Sequence, residues 1–508
     1  MTNNLKVAKK PRNSLFRRAV KWASIGCLGS LFLLVTLIVC LFLLLQTAVP
    51  KSYTLVENPI PPPSPASTLG GNLDGFESPY IGHTGSWDGI GGAMFGASKT
   101  PDLDIEVSMG LRWTFMCVFW SKMEPHGPID LSAGIPPEWR SLDQFVIEAH
   151  QLKLNILLQA PVVGGNAGGP PSWAGRRVKG KSAPADMDAL IQFTGKLAKR
   201  YCPGGTLAME QGWGSEYGIR AWELDNEPES YFTNWKGQAA DYAEFVTRSA
   251  EVIKQIDPLA LILAPSVASG SHGADWLKHA LNPDTDHASP TFIQNKKKYS
   301  VGPSTDVVTF HNYEGLDSFF SGQDFTITDA FMQIRKVFES MENASANFSY
   351  PRKMEYWHTE GNFDFIGALS EERRVNWRFQ FFTRAFAAGI RKVVVMDAKT
   401  LEQQAVRTYI QALPNPFPML PATSDLNMVN GNAIAYKHPE GDTGFTWIIW
   451  AQVDTGDATI QIPVSGTQVE VIEVTGTKST LESTDGWIQI NLNGDSIMPE
   501  PIIIFERP

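Results

Sequence analysis

Cysteine is scarce: the 508 residues contain four, and two of these, Cys27 and Cys40, lie inside an apolar N-terminal run. Cys117 and Cys202 remain for the rest of the chain, too few for a disulfide framework. No pair of cysteines or histidines has zinc-ligand spacing, so no metal site is expected. A basic surface is missing as well. Seven of the 43 Lys and Arg residues fall within residues 1–21, where there is no acid, so all 53 Asp and Glu residues oppose the other 36. An acidic body of this kind argues against nucleic acid as a partner. What the chain has in quantity is apolar material, 43% hydrophobic and 11% aromatic with 15 Trp, enough for a large core. Flat apolar faces of this sort also suit sugar C–H surfaces.

The longest stretch without charge, residues 22–45, is dense in Leu, Ile, Val and Phe. Its 24 residues at 1.5 Å each exceed the ~30 Å of a bilayer's hydrocarbon. Such a run is longer than the ~7–15 apolar residues of a cleaved signal. The expectation is a basic cytoplasmic tail over residues 1–21, a retained transmembrane anchor over 22–46, and a body outside the membrane. Residues 47–78, with Asn58-Pro-Ile-Pro-Pro-Pro-Ser-Pro-Ala-Ser67, read as a Pro/Ser-rich linker that cannot fold alone. Asn343-Ala-Ser345 and Asn347-Phe-Ser349 match a glycosylation acceptor pattern, best read as chance.

From 79 to 415 short apolar runs alternate with amphipathic stretches, the pattern of a parallel α/β fold. Eight strands are expected: Ile90–Gly96, Leu111–Phe119, Leu154–Ala160, Ile219–Asn226, Ala260–Pro265, Asp306–His311, Lys353–Glu360 and Lys392–Asp397. Helices are expected between them, such as Ser141–Leu152, Asp186–Tyr201, Ala239–Ile256, Thr328–Met341 and Glu371–Ala388. Eight such units make a (β/α)8 TIM barrel, and the rival open doubly wound sheet lacks a Gly-rich phosphate loop after its first strand. From 416 to 508 the texture becomes short alternating strands without helices. A C-terminal antiparallel β-sandwich that supplies no catalytic group is expected there.

Barrel enzymes carry their chemistry at the C-terminal ends of the strands. The fourth expected strand ends Trp222-Glu-Leu-Asp-Asn226-Glu227-Pro228, the sixth ends Phe310-His311-Asn-Tyr313, and the seventh ends Trp357-His-Thr-Glu360. Two carboxyl groups facing each other across a barrel mouth are what glycoside hydrolysis needs. One protonates the leaving oxygen and the other attacks the anomeric carbon.

These motifs make the region from Gly92 to Asp397 similar to the clan A retaining glycoside hydrolases, and most like family 39, which contains β-xylosidases and α-L-iduronidases. Gly110-Leu-Arg-Trp113 leading to Trp120 and Glu124-Pro125, Pro171-Ser-Trp173-Ala174, Ile253–Pro258 and the closing Pro499–Phe505 add to the likeness. The resemblance implies that Glu227 is the acid/base, Asn226 bonds the sugar 2-hydroxyl, and Glu360 is the nucleophile. It also implies that Tyr313 bonds the nucleophile and that His311 positions Glu227 or sugar. Two positions depart from the family. Phe115-Met-Cys117 stands where an Arg often supports the nucleophile, and Met396-Asp397 where a Trp floors the sugar pocket. Trp120, Trp173 and Trp357 are the candidates for the missing stacking surface. His358 and Trp222 are expected in the core.

The expected activity is a retaining glycosidase acting on oligo- or polysaccharide outside the membrane, with β-xyloside or β-glucoside linkages leading and no cofactor. Retention implies carboxyls about 5–5.5 Å apart, with Glu360 ionised and Glu227 protonated at the start. The alternative is a non-catalytic carbohydrate-binding or surface-adhesion protein on the same barrel, and the residues leave the oligomeric state open.

Overall fold

The structure, a computed structural model, describes residues 34–45, 51, 55–56, 78–84, 103–163, 169–176, 183–229, 239–268, 271–281, 299–321, 324–344, 354–363, 369–396, 400–440, 444–453, 455–495 and 497–506. Most of the expected anchor, the linker around 58–67 and the expected strand Ile90–Gly96 lie outside them, as do Ser345 and Asn347–Ser349 of the acceptor motifs. Residues 34–45 are helical, with Leu34, Leu37 and Leu43 exposed. Among the described residues no helix is long and apolar enough to cross a membrane.

Among the described residues eight parallel strands close into a barrel: β1 (Ser78–Thr84), β2 (Leu111–Phe119), β3 (Asn155–Val162), β4 (Ala221–Glu223), β5 (Leu261–Ala268), β6 (Val307–His311), β7 (Glu355–Glu360) and β8 (Lys392–Met396). The first strand is a correction. β1 pairs with β2 along one edge and with β8 along the other, so the ring closes on residues 78–84. With Pro79 and Gly82 and a single β-branched residue before Thr84, this segment carries little strand propensity of its own.

Among the described residues seven main helices cover the barrel: α1 (Pro137–Gln151), α2 (Met187–Tyr201), α3 (Ala239–Ile256), α4 (Ser271–Leu281), α5 (Ile327–Ala344), α6 (Glu371–Ala388) and α7 (Thr400–Ala412). Their ends follow ordinary capping chemistry. The Asp186 side chain accepts from the Ala189 amide at the start of α2, and Ser370 accepts from the Arg373 amide at the start of α6. Gly389 closes α6 in the left-handed conformation at φ 93°.

The barrel interior is built in layers fixed by strand register. Trp113, Phe115, Leu157, Ala221, Leu263, Val307, Trp357 and Val394 form its apolar lower part. Above them the pairings Cys117↔Gln159 and Gln159↔Glu223 set a polar layer. Parallel neighbours in register point to the same face, so the inward polar residues gather toward the C-terminal end.

Beyond α7 the strands are antiparallel: β9 (Leu420–Pro421), β10 (Asn427–Asn430), β11 (Ala433–Glu440), β12 (Gly444–Ala451), β13 (Ala458–Pro463), β14 (Gln468–Glu473), β15 (Lys478–Glu482), β16 (Trp487–Leu492) and β17 (Ile502–Glu506). They form a six-stranded sheet, β15-β14-β17-β12-β11-β9, and a three-stranded sheet, β10-β13-β16. Period-two alternation decides which face each residue serves. Ala433, Ala435, Trp447, Ile449 and Ile504 enter a core shared with Ile460, Ile462, Ile488 and Ile490 of the smaller sheet. Their neighbours Ile434, Tyr436, Ile448, Trp450 and Ile503 point the other way, into the barrel's own core. The larger sheet is thus apolar on both faces, and this docks it. Asn376 and Gln380 of α6 donate to the carbonyls of Met498 and Pro499, at 3.1 and 2.8 Å, and Arg373 pairs with Asp495 at 3.1 Å.

Candidate active site

β4 is short, and the chain leaves it through a tight turn. Asp225, Glu227 and, at the end of β5, Ser266 have φ of 70°, 39° and 55°. Non-glycine residues at positive φ cost free energy and persist only where surrounding bonds hold them. Those bonds are present. Asp225 Oδ1 accepts from the amides of Val163 (3.1 Å) and Asn226 (2.9 Å), and the Glu227 amide donates to the Ser266 carbonyl (3.0 Å). Gly361 is needed just beyond β7, because a Cβ there would lie 2.3 Å from the Asn312 carbonyl oxygen and 2.5 Å from the His358 ring.

The turn delivers Glu227 to a cluster with His311 and Glu360. His311, fully buried, holds Glu227 Oε1 at 3.0 Å through Nδ1 and Ser266 Oγ at 3.0 Å through Nε2. The same Nδ1 lies 3.6 Å from Glu360 Oε1. Tyr313 donates its hydroxyl to Glu360 Oε1 at 2.7 Å. Tyr313 is itself set by Asp317, whose Oδ2 accepts from the Tyr313 amide (3.0 Å) and from Asn312 Nδ2 (2.6 Å). One ligand atom from each of Glu227, His311 and Glu360 lies within 4.8 Å of the others. They can converge on one reacting atom or on one cation.

Burial opposes the charge on His311, but the carboxylates of Glu360, Glu227 and Glu223 outweigh it and raise its pKa to about 9. The ring is then a cation at neutral pH, with both nitrogens donating. Glu360 differs from the expectation of a readily ionised nucleophile. Burial pushes it up, His311 pulls it down, Glu227 pushes it up again and Tyr313 pulls it down, for a net value of about 7. The residue near it from β2 is Cys117, a neutral thiol that burial keeps well above its usual pKa.

Sequence reasoning missed the layer beneath. Glu223 is fully buried, its Oε1 accepting from Thr359 Oγ1 (2.7 Å) and its Oε2 from Gln159 Nε2 (2.9 Å). Gln159 Nε2 also donates to Asn226 Oδ1 (3.0 Å), and Cys117 Sγ donates to Gln159 Oε1 (2.9 Å). The inward alternation of β3 and β4 was the available signal. Glu229 was also missed; it is buried, and burial followed by the charge of Glu227 pushes it well above the usual carboxylate range, against backbone hydrogen bonds from Glu229 and Ala268.

Asn226, Glu227, His311, Tyr313 and Glu360 are brought together; the tryptophans are not. Trp120 is fully buried, edge-on to Trp173 at 5.4 Å and stacked on Phe193 of α2 at 6.0 Å, with Nε1 bonded to Glu124 Oε2. Trp357 is 3% exposed in the lower barrel interior, edge-on to Trp113 at 5.6 Å. Neither presents a face to a ligand, because inward register and helix packing have consumed both. Trp173 is half-buried and donates to the Glu124 carbonyl at 2.7 Å, so it is the candidate with a face left. His358 and Trp222 are both buried core residues. The side chain of Met396, and Asp397, lie outside the described residues.

No protein-family model and no curated protein matches the chain. Solved structures do. A glycoside hydrolase family 30 endoxylanase from Clostridium papyrosolvens C71 overlays with TM-score 0.50 at 11% identity, covering 85% of this chain and 97% of that one. A bifunctional glucanase-xylanase from a metagenome library overlays with TM-score 0.50 at 13% identity, covering 84% and 99%. A family 39 enzyme from Xanthomonas axonopodis pv. citri gives 0.48 at 13% identity, covering 91% and 98%, an overlay too loose to argue family from. At these identities the likeness is one of architecture: the parallel barrel with antiparallel sheets is the fold this chain shares with that endoxylanase and that glucanase-xylanase.

Proposed function

We propose that the protein is a retaining glycoside hydrolase in which Glu360 attacks the anomeric carbon and Glu227 serves first as acid and then as base. The observation that carries this reading is the convergence of two carboxylates, from the ends of β4 and β7, within 4.8 Å through a shared histidine. A closest approach of this kind between one oxygen of each carboxylate is compatible with the ~5–5.5 Å separation of a double displacement. His311 holds Glu227 in place, while Tyr313 steadies the Glu360 oxygen. As Glu360 forms the ester, Glu227 gives its proton to the departing oxygen, and the resulting carboxylate then takes a proton from the water that hydrolyses the ester and frees Glu360. A retained Asn226 amide next to Glu227 supplies a group for a sugar hydroxyl. The leading substrates are β-xylosides and β-glucosides in oligo- or polysaccharides.

We also infer that residues 22–46 anchor the chain with the barrel outside the membrane, a reading supported by the uncharged run and the seven bases before it. Amino-terminal sequencing of membrane-extracted protein tests it, and a start near residue 49 would overturn it.

The test of the activity is turnover of a panel of aryl β- and α-glycosides, with the anomer of the first-formed product read by NMR. Retained configuration, unaffected by a chelator, is expected. Inversion would sink the double displacement. Loss of activity on chelation, restored by a divalent ion, would show Glu227, His311 and Glu360 acting as metal ligands. Sugar binding without turnover of any substrate would favour the non-catalytic alternative.

A further inference from the structure

We propose that Gln159, oriented by Cys117, is a positioning residue that turns the Asn226 amide so that its nitrogen faces the barrel mouth as a donor to substrate. The inference rests on the glycosidase reading and adds two residues to it.

The argument is one of hydrogen-bond supply. Gln159 is buried at 1% exposure and stands in register with Cys117 on one side and Glu223 on the other. Its amide has one oxygen and one NH2 group. Glu223 accepts from Thr359 through Oε1 and from Gln159 through Oε2, so the Gln159 nitrogen must face Glu223. The thiol of Cys117 donates to the oxygen at 2.9 Å and favours this arrangement, since a flipped amide would offer its NH2 group only a weak sulfur acceptor. With one hydrogen on Glu223, the second reaches Asn226 Oδ1 at 3.0 Å. Asn226 therefore has its oxygen turned down into the polar layer, and its Nδ2 is left pointing away from Gln159. Asn226 lies three residues beyond Glu223 toward the C-terminal end, so away from Gln159 means toward the mouth where Glu227 stands. The group it can meet there must accept a hydrogen bond, as a sugar hydroxyl beside the reacting carbon does.

A thiol is a weak donor, and this makes the relay testable by graded replacement. The substrates are the aryl glycoside turned over fastest by the unaltered protein and its 2-deoxy counterpart. Gln159→Leu should lower kcat/KM on the intact sugar by about 10–100-fold and on the 2-deoxy sugar by less than about threefold. Cys117→Ser should stay within about threefold of the unaltered protein, because a hydroxyl also donates, and Cys117→Ala should fall between the two. Equal losses on both sugars would overturn the relay, since a purely structural role does not distinguish them. A crystal structure of Gln159→Leu needs no turnover: Asn226 should leave its rotamer or occupy two, and an unmoved Asn226 overturns the proposal. Failure of the glycosidase reading would show separately, as absence of turnover in the unaltered protein.

Discussion

The two ends of the barrel interior both bury ionisable groups, and they treat them in opposite ways. At the lower end Lys392 opens β8 and lays its amine 3.9 Å from the ring centroid of Trp113 and 4.9 Å from that of Trp357. Burial pushes this lysine well below its usual pKa, against the pull of Glu355, whose Oε2 accepts from Trp357 Nε1 at 3.3 Å. One amine enclosed by aromatic faces plugs the barrel. At the upper end Glu223, Glu227 and Glu360 share one histidine, and the backbone at Glu227 is held at positive φ. The lower cluster is closed by apolar and aromatic packing, whereas the upper one sets three carboxylates around one histidine. Groups buried with mismatched partners mark a site, and groups buried with matched ones mark a plug.

Several substitutions would break or sharpen this contrast. Glu360→Ala should have the largest effect, lowering turnover of aryl glycosides by about 10⁴-fold or more and abolishing any trapped glycosyl-enzyme in a mass spectrum. Near-normal activity would place the chemistry elsewhere. Glu227→Ala should cost about 10²–10⁴-fold on poor leaving groups but much less on activated aryl glycosides. Azide should restore turnover of the latter and give a glycosyl azide of retained configuration, checked by NMR.

Lys392→Ala should act at the other end and in the other quantity. Stability should fall by about 2–4 kcal/mol from the cavity opened beside two indoles, with kcat on a good substrate changed less than about threefold. Denaturant unfolding paired with initial rates checks it, and a large kcat loss at full stability would mean that the plug is coupled to the site. The smallest effect concerns pH. With Glu360 near 7, kcat/KM should fall as pH drops through that value, because the nucleophile gains a proton. The Tyr313 hydroxyl favours the ionised form, so Tyr313→Phe should move this acidic limb upward by about one pH unit. A limb that moves downward, or not at all, would show that Glu360 is not the group titrating.

Much of the architecture was legible because periodicity is local. Leu111–Phe119, Ala239–Ile256 and Glu371–Ala388 stand where their apolar spacing placed them. β1 was not legible, since Ser78–Thr84 is a strand only by virtue of β2 and β8 on either side. β11 was missed for a related reason. Ala433 and Ala435 are weak strand formers taken into the sheet by Trp447, Ile449 and the core they share.

The chain's own pattern sufficed to place Glu227 and Glu360 at the ends of the fourth and seventh strands, and His311 and Tyr313 at the end of the sixth. Which tryptophans stayed available was decided only by tertiary structure, because burial depends on the layer into which register turns a residue. Trp120 and Trp357 went into packing, while Trp173 kept a face. The electrostatics were decided there too. A pKa near 7 for Glu360 and near 9 for His311 depends on burial and on charges brought together from β4, β6 and β7, more than 40 residues apart along the chain. Local spacing carries no record of which charges meet in such a cluster.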